Sequence, residues 1–304
     1  MAFAKRIVLF LLLNFLVVLM ISVILNLLNV RSFITAKGLD VRTLLIFCFV
    51  WGMGGAFISL ALSRVMAKWT MGVQLIDPNT KNPEEAHLLS TVYALARKAN
   101  ISVMPQVGLF RSNEPNAFAT GPTQNRSLVA VSTGLLNRMT PDEVKAVLGH
   151  EISHVANGDM VTMTLLQGVV NAFVMFLSRI LAFALSGLGK NREENSNSGF
   201  GSFMLFTFLF EIVFMLLGSM LIAAYSRFRE FRADAGGAHL AGKDNMIHAL
   251  QALQAAQKIH DPRTEQPAVA AFKIARPHKP GFLWLFATHP PLETRIARLQ
   301  STSK

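Results

Sequence analysis

The sequence has 304 residues, of which 52% are hydrophobic and only 15% are charged, with a formal net charge of +11. Soluble proteins contain about 25% charged residues, so this composition excludes an ordinary cytosolic globule, a disordered chain and a coiled coil. The single cysteine, Cys48, excludes an intrachain disulfide framework and a zinc site built on several thiolates. The basic excess favours membrane topology and anionic lipid over nucleic acid as a partner, because no basic run is interleaved with aromatic residues.

Four apolar stretches are long enough to cross a bilayer. They lie at about residues 7–28, 44–62, 161–185 and 203–224. At 1.5 Å per residue, the first stretch reaches roughly 33 Å, which spans the hydrocarbon core. It exceeds the apolar core of a signal peptide, and no small-x-small cleavage site follows it. The sequence therefore predicts an uncleaved first span and four transmembrane helices.

The segment between the second and third apolar stretches regains charges and turn residues. Asn82, followed by Pro83 and two acids, predicts a helix that runs to Ala99. Short segments with strand character follow it, and turn residues separate them as in a small antiparallel sheet. These segments are Val107–Phe110, Asn116–Thr120 and Ser127–Ser132.

A capping box at Thr140 and Glu143 predicts the start of a second helix in this segment. The helix is expected to end near Asn157, where Gly158 supplies a stop. After the fourth apolar stretch the chain is again polar and mostly helical. The helices predicted there lie near Ser226–Leu240, Lys243–His260 and Leu292–Leu299.

These elements predict an α+β, mainly helical chain in which membrane and soluble parts alternate. Two spans (1–62) precede the first half of a soluble domain (63–159), and a transmembrane hairpin (160–225) separates it from the second half (226–304). An even number of spans between the halves allows them to form one domain. Most basic residues lie in these halves, so the positive-inside rule predicts that the domain faces the cytoplasm.

The strongest chemical signal is the string from His150 through Glu151 to His154. Residues at i and i+4 lie on one face of a helix, so the two imidazoles can bind one zinc ion. Glu151, beside them, is positioned to act as the general base of a hydrolase. The alternative interpretation is a pair of surface histidines on a helix.

A catalytic zinc takes three protein ligands, and the sequence has no second cysteine to supply the third. Glu230 follows the fourth apolar stretch directly, as His154 precedes the third, so the base of the hairpin brings them together. Asp234, on the same helical face as Glu230, suits an acceptor for a histidine N–H. The alternative is a solvated helix whose basic residues bind lipid phosphates. Those residues are Arg227, Arg229 and Arg232.

Two further features allow more than one interpretation. Asn116–Thr120 is either an edge strand to which an extended substrate adds, with Asn116 holding the substrate backbone, or a turn in a sheet. Glu211 lies well inside the fourth span, where a carboxylate is a functional candidate. Its candidate partner is Arg179 in the third span, which we expect at a different depth.

Several stretches together resemble the HtpX family of membrane zinc metalloproteases, which is related to the CAAX prenyl proteases. The resemblance rests on His150–His154, Ser226–Asp234, Pro115–Ala119, and Thr288–Pro291 with Arg295. It implies a gluzincin fold, zinc on His150, His154 and Glu230, and Glu151 as the base. It also favours His289 and Arg295 as candidate donors to the oxyanion of the transition state.

The resemblance further implies the biological setting. It predicts a multi-pass protein of the bacterial inner membrane whose active site faces the cytoplasm. Its expected substrates are misfolded or damaged membrane proteins. The sequence does not indicate an oligomeric state.

The residues allow three classes of function, which make different demands on the site. A zinc endopeptidase explains Glu151, whereas a scaffold or receptor with structural zinc would need four closed ligands and no carboxylate beside the metal. A transporter lined by Glu211 and Arg179 is disfavoured, since no span is broken by proline and the strongest motif lies outside the membrane. The sequence therefore favours the endopeptidase.

Overall fold

A computed structural model describes residues 19–27, 33–35, 38–186, 196–259 and 281–301. Within these ranges the fold is mostly helical, with two small sheets. Most of the first predicted span, residues 7–18 and 28, lies outside the described residues, whereas residues 19–27 are helical.

The described elements follow in chain order, beginning with a short hairpin. The strands are β1 (Ile34–Thr35), β2 (Gly38–Leu39), β3 (Gln74–Leu75), β4 (Gln106–Phe110), β5 (Ala117–Thr120) and β6 (Leu128–Ser132). The helices are α1 (Val41–Met71), α2 (Pro83–Lys98), α3 (Thr133–Arg138), α4 (Pro141–Ala156), α5 (Asp159–Ser186), α6 (Ser196–Ala241), α7 (Lys243–Ile259) and α8 (Leu292–Ser301). Short 3₁₀ turns lie at Gln124–Arg126 and Gly281–Phe286.

Three helices in the described ranges are long and apolar enough to cross a membrane. They are Val41–Met71, Asp159–Ser186 and Gly199–Ala241. Each contains one of the predicted spans 44–62, 161–185 and 203–224. The remaining predicted span, 7–28, falls mostly on residues that are not described.

One compact unit comprises residues 1–59 and 164–222. Small residues let α1 and α5 approach closely, as is common between membrane helices. A Cβ on Gly52 would lie 2.7 Å from the main-chain nitrogen of Ala172, so only glycine fits there. Arg179 of α5 donates a 2.8 Å hydrogen bond to Glu211 of α6. The expectation that these two residues lie at different depths was therefore wrong, because the crossing of α5 and α6 brings their long side chains together.

The second unit comprises residues 60–163 and 223–304 and contains a four-stranded sheet of order β3-β4-β6-β5. The sheet is mixed, because β4 and β6 are parallel while the other pairs are antiparallel. The prediction of an antiparallel sheet was thus wrong at this pair. All five residues of β6 are buried, and the chain inserts this apolar strand between β4 and β5 so that it is covered on both edges.

The core of this unit lies between the sheet and the helices α2, α4, α7 and α8. Leu148 and Ile152 of α4 are fully buried in it, beside Val129 of β6. These residues fix the orientation of α4, which carries the strongest sequence motif. The predicted helices at Pro83 and Thr140 are confirmed, including the capping box at Thr140.

Helix α6 is unbroken over 46 residues. It contains both the predicted span 203–224 and the predicted helix Ser226–Leu240, so the two predicted elements are one helix. No proline or turn residue stands between Ala224 and Ser226, so the helix continues past the end of the apolar run.

Candidate metal centre

Helix α4 begins and ends as its sequence dictates. The Thr140 hydroxyl accepts a hydrogen bond from the Glu143 main chain, and the Glu143 carboxylate accepts one from the Thr140 N–H at 2.8 Å. Gly158, with a φ of +65°, lets the chain turn immediately after the helix. Between these ends, His150, Glu151 and His154 are all buried. The helix is therefore capped at its start and buried along the motif that it presents.

Small residues bring α6 against α4 at this point. A Cβ on Gly237 would lie 3.0 Å from the main-chain nitrogen of His150, and one on Gly236 would lie 2.4 Å from the Ser153 hydroxyl. The helix backbones can approach so closely only because these positions lack side chains. Glu230, about two turns earlier on α6, then lies beside the two histidines.

Three potential ligand groups converge. The Nε2 atoms of His150 and His154 lie 3.1 Å apart. One carboxylate oxygen of Glu230 lies 3.5 Å from Nε2 of His150, and the other lies 3.4 Å from Nε2 of His154. In the described part of the chain, this is the one group of histidine, cysteine and acidic side chains with the spacing of a metal site.

The donor set fits a tetrahedral divalent metal. Ligands about 2.0–2.1 Å from a tetrahedral zinc are separated from one another by about 3.4 Å, which is close to the observed distances. Glu230 is 1% exposed, and neither of its oxygens accepts a hydrogen bond of proper geometry from the described residues. A buried carboxylate without hydrogen bonds is costly unless a cation binds it.

A carboxylate and an arginine lie behind His150. Its Nδ1 lies 3.0 Å from Asp234, whose two oxygens accept hydrogen bonds of 2.8 and 2.6 Å from Arg295. Burial opposes a charge on His150, but the contacts with Asp234 and Glu230 outweigh it and raise the pKa of His150 to about 9. This electrostatic environment strongly favours positive charge at the ligand atoms.

The same arrangement occurs behind His154. Its Nδ1 lies 2.7 Å from Asp159, which is fully buried and forms an ion pair with Arg232. Asp159 is not among the site residues predicted from the sequence, and Arg232 is predicted there only as a lipid-binding cation. The sequence does contain a signal for Asp159, because it lies only five residues after His154. It follows the stop residue Gly158 directly and is the first residue of α5.

Glu151 is held by the sheet. Its Oε2 accepts a 2.8 Å hydrogen bond from the main-chain N–H of Ala119 in β5. Strand β5 is an edge strand, so its side away from β6 borders the site. Asn116, just before β5, is buried, and its main chain bonds to Ser132 on β6. The interpretation of residues 116–120 as an edge strand is therefore correct for Ala117–Thr120.

Three further side chains approach Glu230: His289 and Arg295 come from the C-terminal segment, and Arg229 comes from α6. His289 Nδ1 lies 2.9 Å from Glu230 Oε2, outside the angular range of a hydrogen bond. Arg295 and Arg229 approach the same carboxylate at 3.6 Å. Of these, Arg295 is fully buried and donates hydrogen bonds to Asp234, whereas the His289 side chain is partly exposed. Arg229 was absent from the predicted site.

Comparison with known proteins gives consistent matches. The model of Peptidase family M48 matches residues 82–303. A protease HtpX homolog from Bacillus licheniformis is 50% identical over 98% of this chain and 99% of its own length. Protease HtpX from Thioalkalivibrio sulfidiphilus is 48% identical over 99% of this chain and 100% of its own length.

A solved structure matches as well. The crystal structure of S. mikatae Ste24p aligns with a TM-score of 0.62 at 17% sequence identity. The alignment covers 97% of this chain but 64% of the Ste24p chain. At this level of identity the match shows a shared fold alone.

Proposed function

Because the chain belongs to Peptidase family M48 and is a membrane metalloendopeptidase, we propose that its metal is one zinc ion bound by His150, His154 and Glu230. The observation that carries this proposal is the convergence of three buried ligand groups on one point, where the oxygens of Glu230 accept no hydrogen bond from the described part of the chain. Two imidazoles and a carboxylate are a ligand set typical of catalytic zinc.

Zinc, when bound, polarises the scissile carbonyl and makes a water molecule more acidic. Glu151 takes the proton of the attacking water and later delivers it to the leaving amine. The hydrogen bond from Ala119 holds one carboxylate oxygen of Glu151, so the other oxygen is oriented for this proton transfer.

Two Asp–Arg pairs orient the metal-binding imidazoles. Asp234 and Asp159 accept the Nδ1 protons of His150 and His154, which leaves each Nε2 lone pair for the metal. Arg295 and Arg232 hold these carboxylates in place. The proposed role of Arg295 is therefore positioning rather than contact with substrate.

His289 is the proposed donor to the oxyanion that forms on the substrate. Its Nδ1 lies 2.9 Å from Glu230 and its side chain is partly exposed, so a substrate can reach it. A positioned donor of this kind typically contributes roughly 10²–10³ to the rate.

Substrate binds in an extended conformation beside β5. An edge strand bonds to the peptide main chain and is tolerant of side chains, which suits a protease for many sequences. An extended conformation also requires an unfolded segment. We propose misfolded or damaged membrane proteins as substrates, with Asn116 at the end of the strand as a contact to their backbone.

The proposed topology is that of a multi-pass protein of the bacterial inner membrane. It has four transmembrane helices, two within 1–62 and two in the hairpin 160–225. Residues 63–159 and 226–304 form the two halves of a gluzincin-type domain that faces the cytoplasm. The three apolar helices and the distribution of basic residues support it. Family membership favours the enzyme over the scaffold and transporter hypotheses.

Metal analysis of the purified protein and three variants tests this mechanism. We expect Glu151→Gln to retain zinc but lose casein hydrolysis, because only the base is removed. His150→Ala and Glu230→Ala should lose both. Casein hydrolysis by Glu151→Gln at the wild-type rate would contradict the assigned base, and stoichiometric zinc in Glu230→Ala would contradict the third ligand.

A further inference from the structure

Arg227 connects helix α6 to the segment that carries His289. Its Nη1 atom donates hydrogen bonds to the main-chain carbonyls of Trp284, Leu285 and Ala287, at 3.4, 3.2 and 2.7 Å. Its guanidinium carbon also lies 4.4 Å from the centre of the Trp284 ring. One side chain of α6 therefore contacts the end of the 3₁₀ turn that precedes His289 at four points.

The guanidinium of Arg227 is withdrawn from water, so it needs partners inside the protein. Arg227 is 9% exposed, and a cation buried to this extent is costly unless it is hydrogen-bonded. The three carbonyls supply such bonds. Arg227 is therefore not the solvated cation of the lipid-binding interpretation, and its contact with the turn is a firm attachment.

The 3₁₀ turn Gly281–Phe286 depends on this attachment because it buries little of its own surface. None of its six residues is buried, and the exposed fractions of Phe282 and Leu283 are 66% and 53%. The ring of Phe282 packs against that of Phe286 with centres 5.6 Å apart, which is a contact within the turn. Apolar burial therefore contributes little to fixing the turn on the domain.

His289 follows the turn closely and is held mainly through its main chain. Its buried Nδ1 atom has no hydrogen-bond partner in the described part of the chain. On its C-terminal side, Leu292 and Ile296 of α8 are buried in the apolar core. On its N-terminal side, the Ala287 carbonyl accepts the shortest bond from Arg227. The main chain is thus anchored on both sides of His289, by α8 and by Arg227.

Arg227 belongs to the same helix as the proposed third metal ligand. It precedes Glu230 by three residues, so the two side chains lie on one face of α6, about 4.5 Å apart along its axis. Helix α6 is continuous across both positions. It therefore sets the distance between the anchored segment and Glu230, whose carboxylate lies 2.9 Å from Nδ1 of His289.

We propose that Arg227 is a positioning residue for peptide hydrolysis, which holds the main chain at 284–287 so that His289 meets the oxyanion forming on the substrate. This inference rests on the proposed role of His289 as the donor to that oxyanion. Arg227 acts through the main chain and does not itself contact substrate. A donor displaced by about 1 Å can lose roughly 100-fold in rate. Because the oxyanion exists only in the transition state, the loss falls on kcat rather than KM.

Steady-state hydrolysis of casein by the full-length, zinc-loaded protein tests this role through a double-mutant cycle. We expect Arg227→Gln to lower kcat about tenfold and His289→Gln to lower it about 100-fold, each with unchanged KM and zinc content. The double variant should match His289→Gln, because Arg227 has no donor left to position. Independent effects would multiply to about 1,000-fold, and that result would overturn the proposal.

Arg227→Lys should recover part of the kcat that Arg227→Gln loses, since an ammonium group also donates to carbonyls. Arg138→Gln, at an exposed position on α3, makes the same charge change elsewhere and should keep the parent kcat. A parent-like kcat in Arg227→Gln beside an impaired His289→Gln would overturn this inference alone. A parent-like kcat in His289→Gln would overturn the donor role itself. Loss of zinc or of helical circular dichroism in both Arg227 variants would show a purely structural role and would also overturn the inference.

Discussion

Asp159 offers a sharp test of the metal centre, because it contacts a proposed ligand histidine and does not itself bind the metal. Its carboxylate is fully buried, 2.7 Å from Nδ1 of His154. Loss of such a carboxylate typically weakens metal binding 10- to 100-fold. In Asp159→Asn the amide oxygen still accepts the Nδ1 proton, and only the charge is lost. We therefore expect zinc affinity to fall about tenfold, or roughly 1.4 kcal/mol, and to fall further in Asp159→Ala, which loses the acceptor as well.

Competition with a chromophoric chelator measures this affinity, in a Glu151→Gln background that prevents self-cleavage. Asp142→Asn, in the exposed first turn of α4, is the matched control and should bind zinc like the parent. Asp234→Asn acts on the other imidazole, so the double variant with Asp159→Asn should bind zinc more weakly than either single variant. An Asp159→Asn affinity within twofold of the parent would refute the proposed role.

Three other perturbations follow from the contacts. Ala119→Pro removes the N–H that holds Glu151, and because this N–H points away from β6, the pairing of β5 with β6 should survive. We expect about tenfold lower kcat with full zinc content. An unchanged kcat would contradict the contact. Glu211→Leu leaves Arg179 in the bilayer without its carboxylate and should lower the free energy of unfolding by about 2–3 kcal/mol. The double variant with Arg179→Leu should lose less, because no charge is left unpaired. Equal thermal stabilities of the two variants in detergent would contradict this. Chelation should abolish hydrolysis and zinc should restore it, with helical circular dichroism unchanged throughout.

The sequence was sufficient for the parts of the site that depend on local spacing. The helical period places His150 and His154 on one face, and the capping box at Thr140 marks where that helix begins. The three strands were found within a residue of their observed bounds, because turn residues separate them clearly. Glu230 is predicted from the order of the segments instead: it follows the apolar hairpin directly, as His154 precedes it.

The missed features depend on how neighbouring elements pack and on the direction in which the chain leaves a turn. The alternation of apolar and polar residues does not distinguish a parallel from an antiparallel pairing of β4 and β6, since a neighbouring strand in either direction would cover the same apolar strand. Asp159 forms its contacts only because α5 leaves the turn at Gly158 in one particular direction. Arg232 looked like a solvated cation in the sequence, and its pairing with Asp159 follows from the packing of α6.

The structure also explains why the fold should persist without the metal while the chemistry should not. Zinc fingers need metal because they lack a core, whereas here Leu148, Ile152 and Val155 anchor α4 in an extensive apolar cluster. The capping box and the Asp–Arg pairs behind both histidines require no metal either. Among the carboxylates of the described residues, Glu230 is the one whose buried oxygens lack hydrogen bonds. The metal therefore binds at a site whose side chains are already in position, which is the arrangement that catalysis requires.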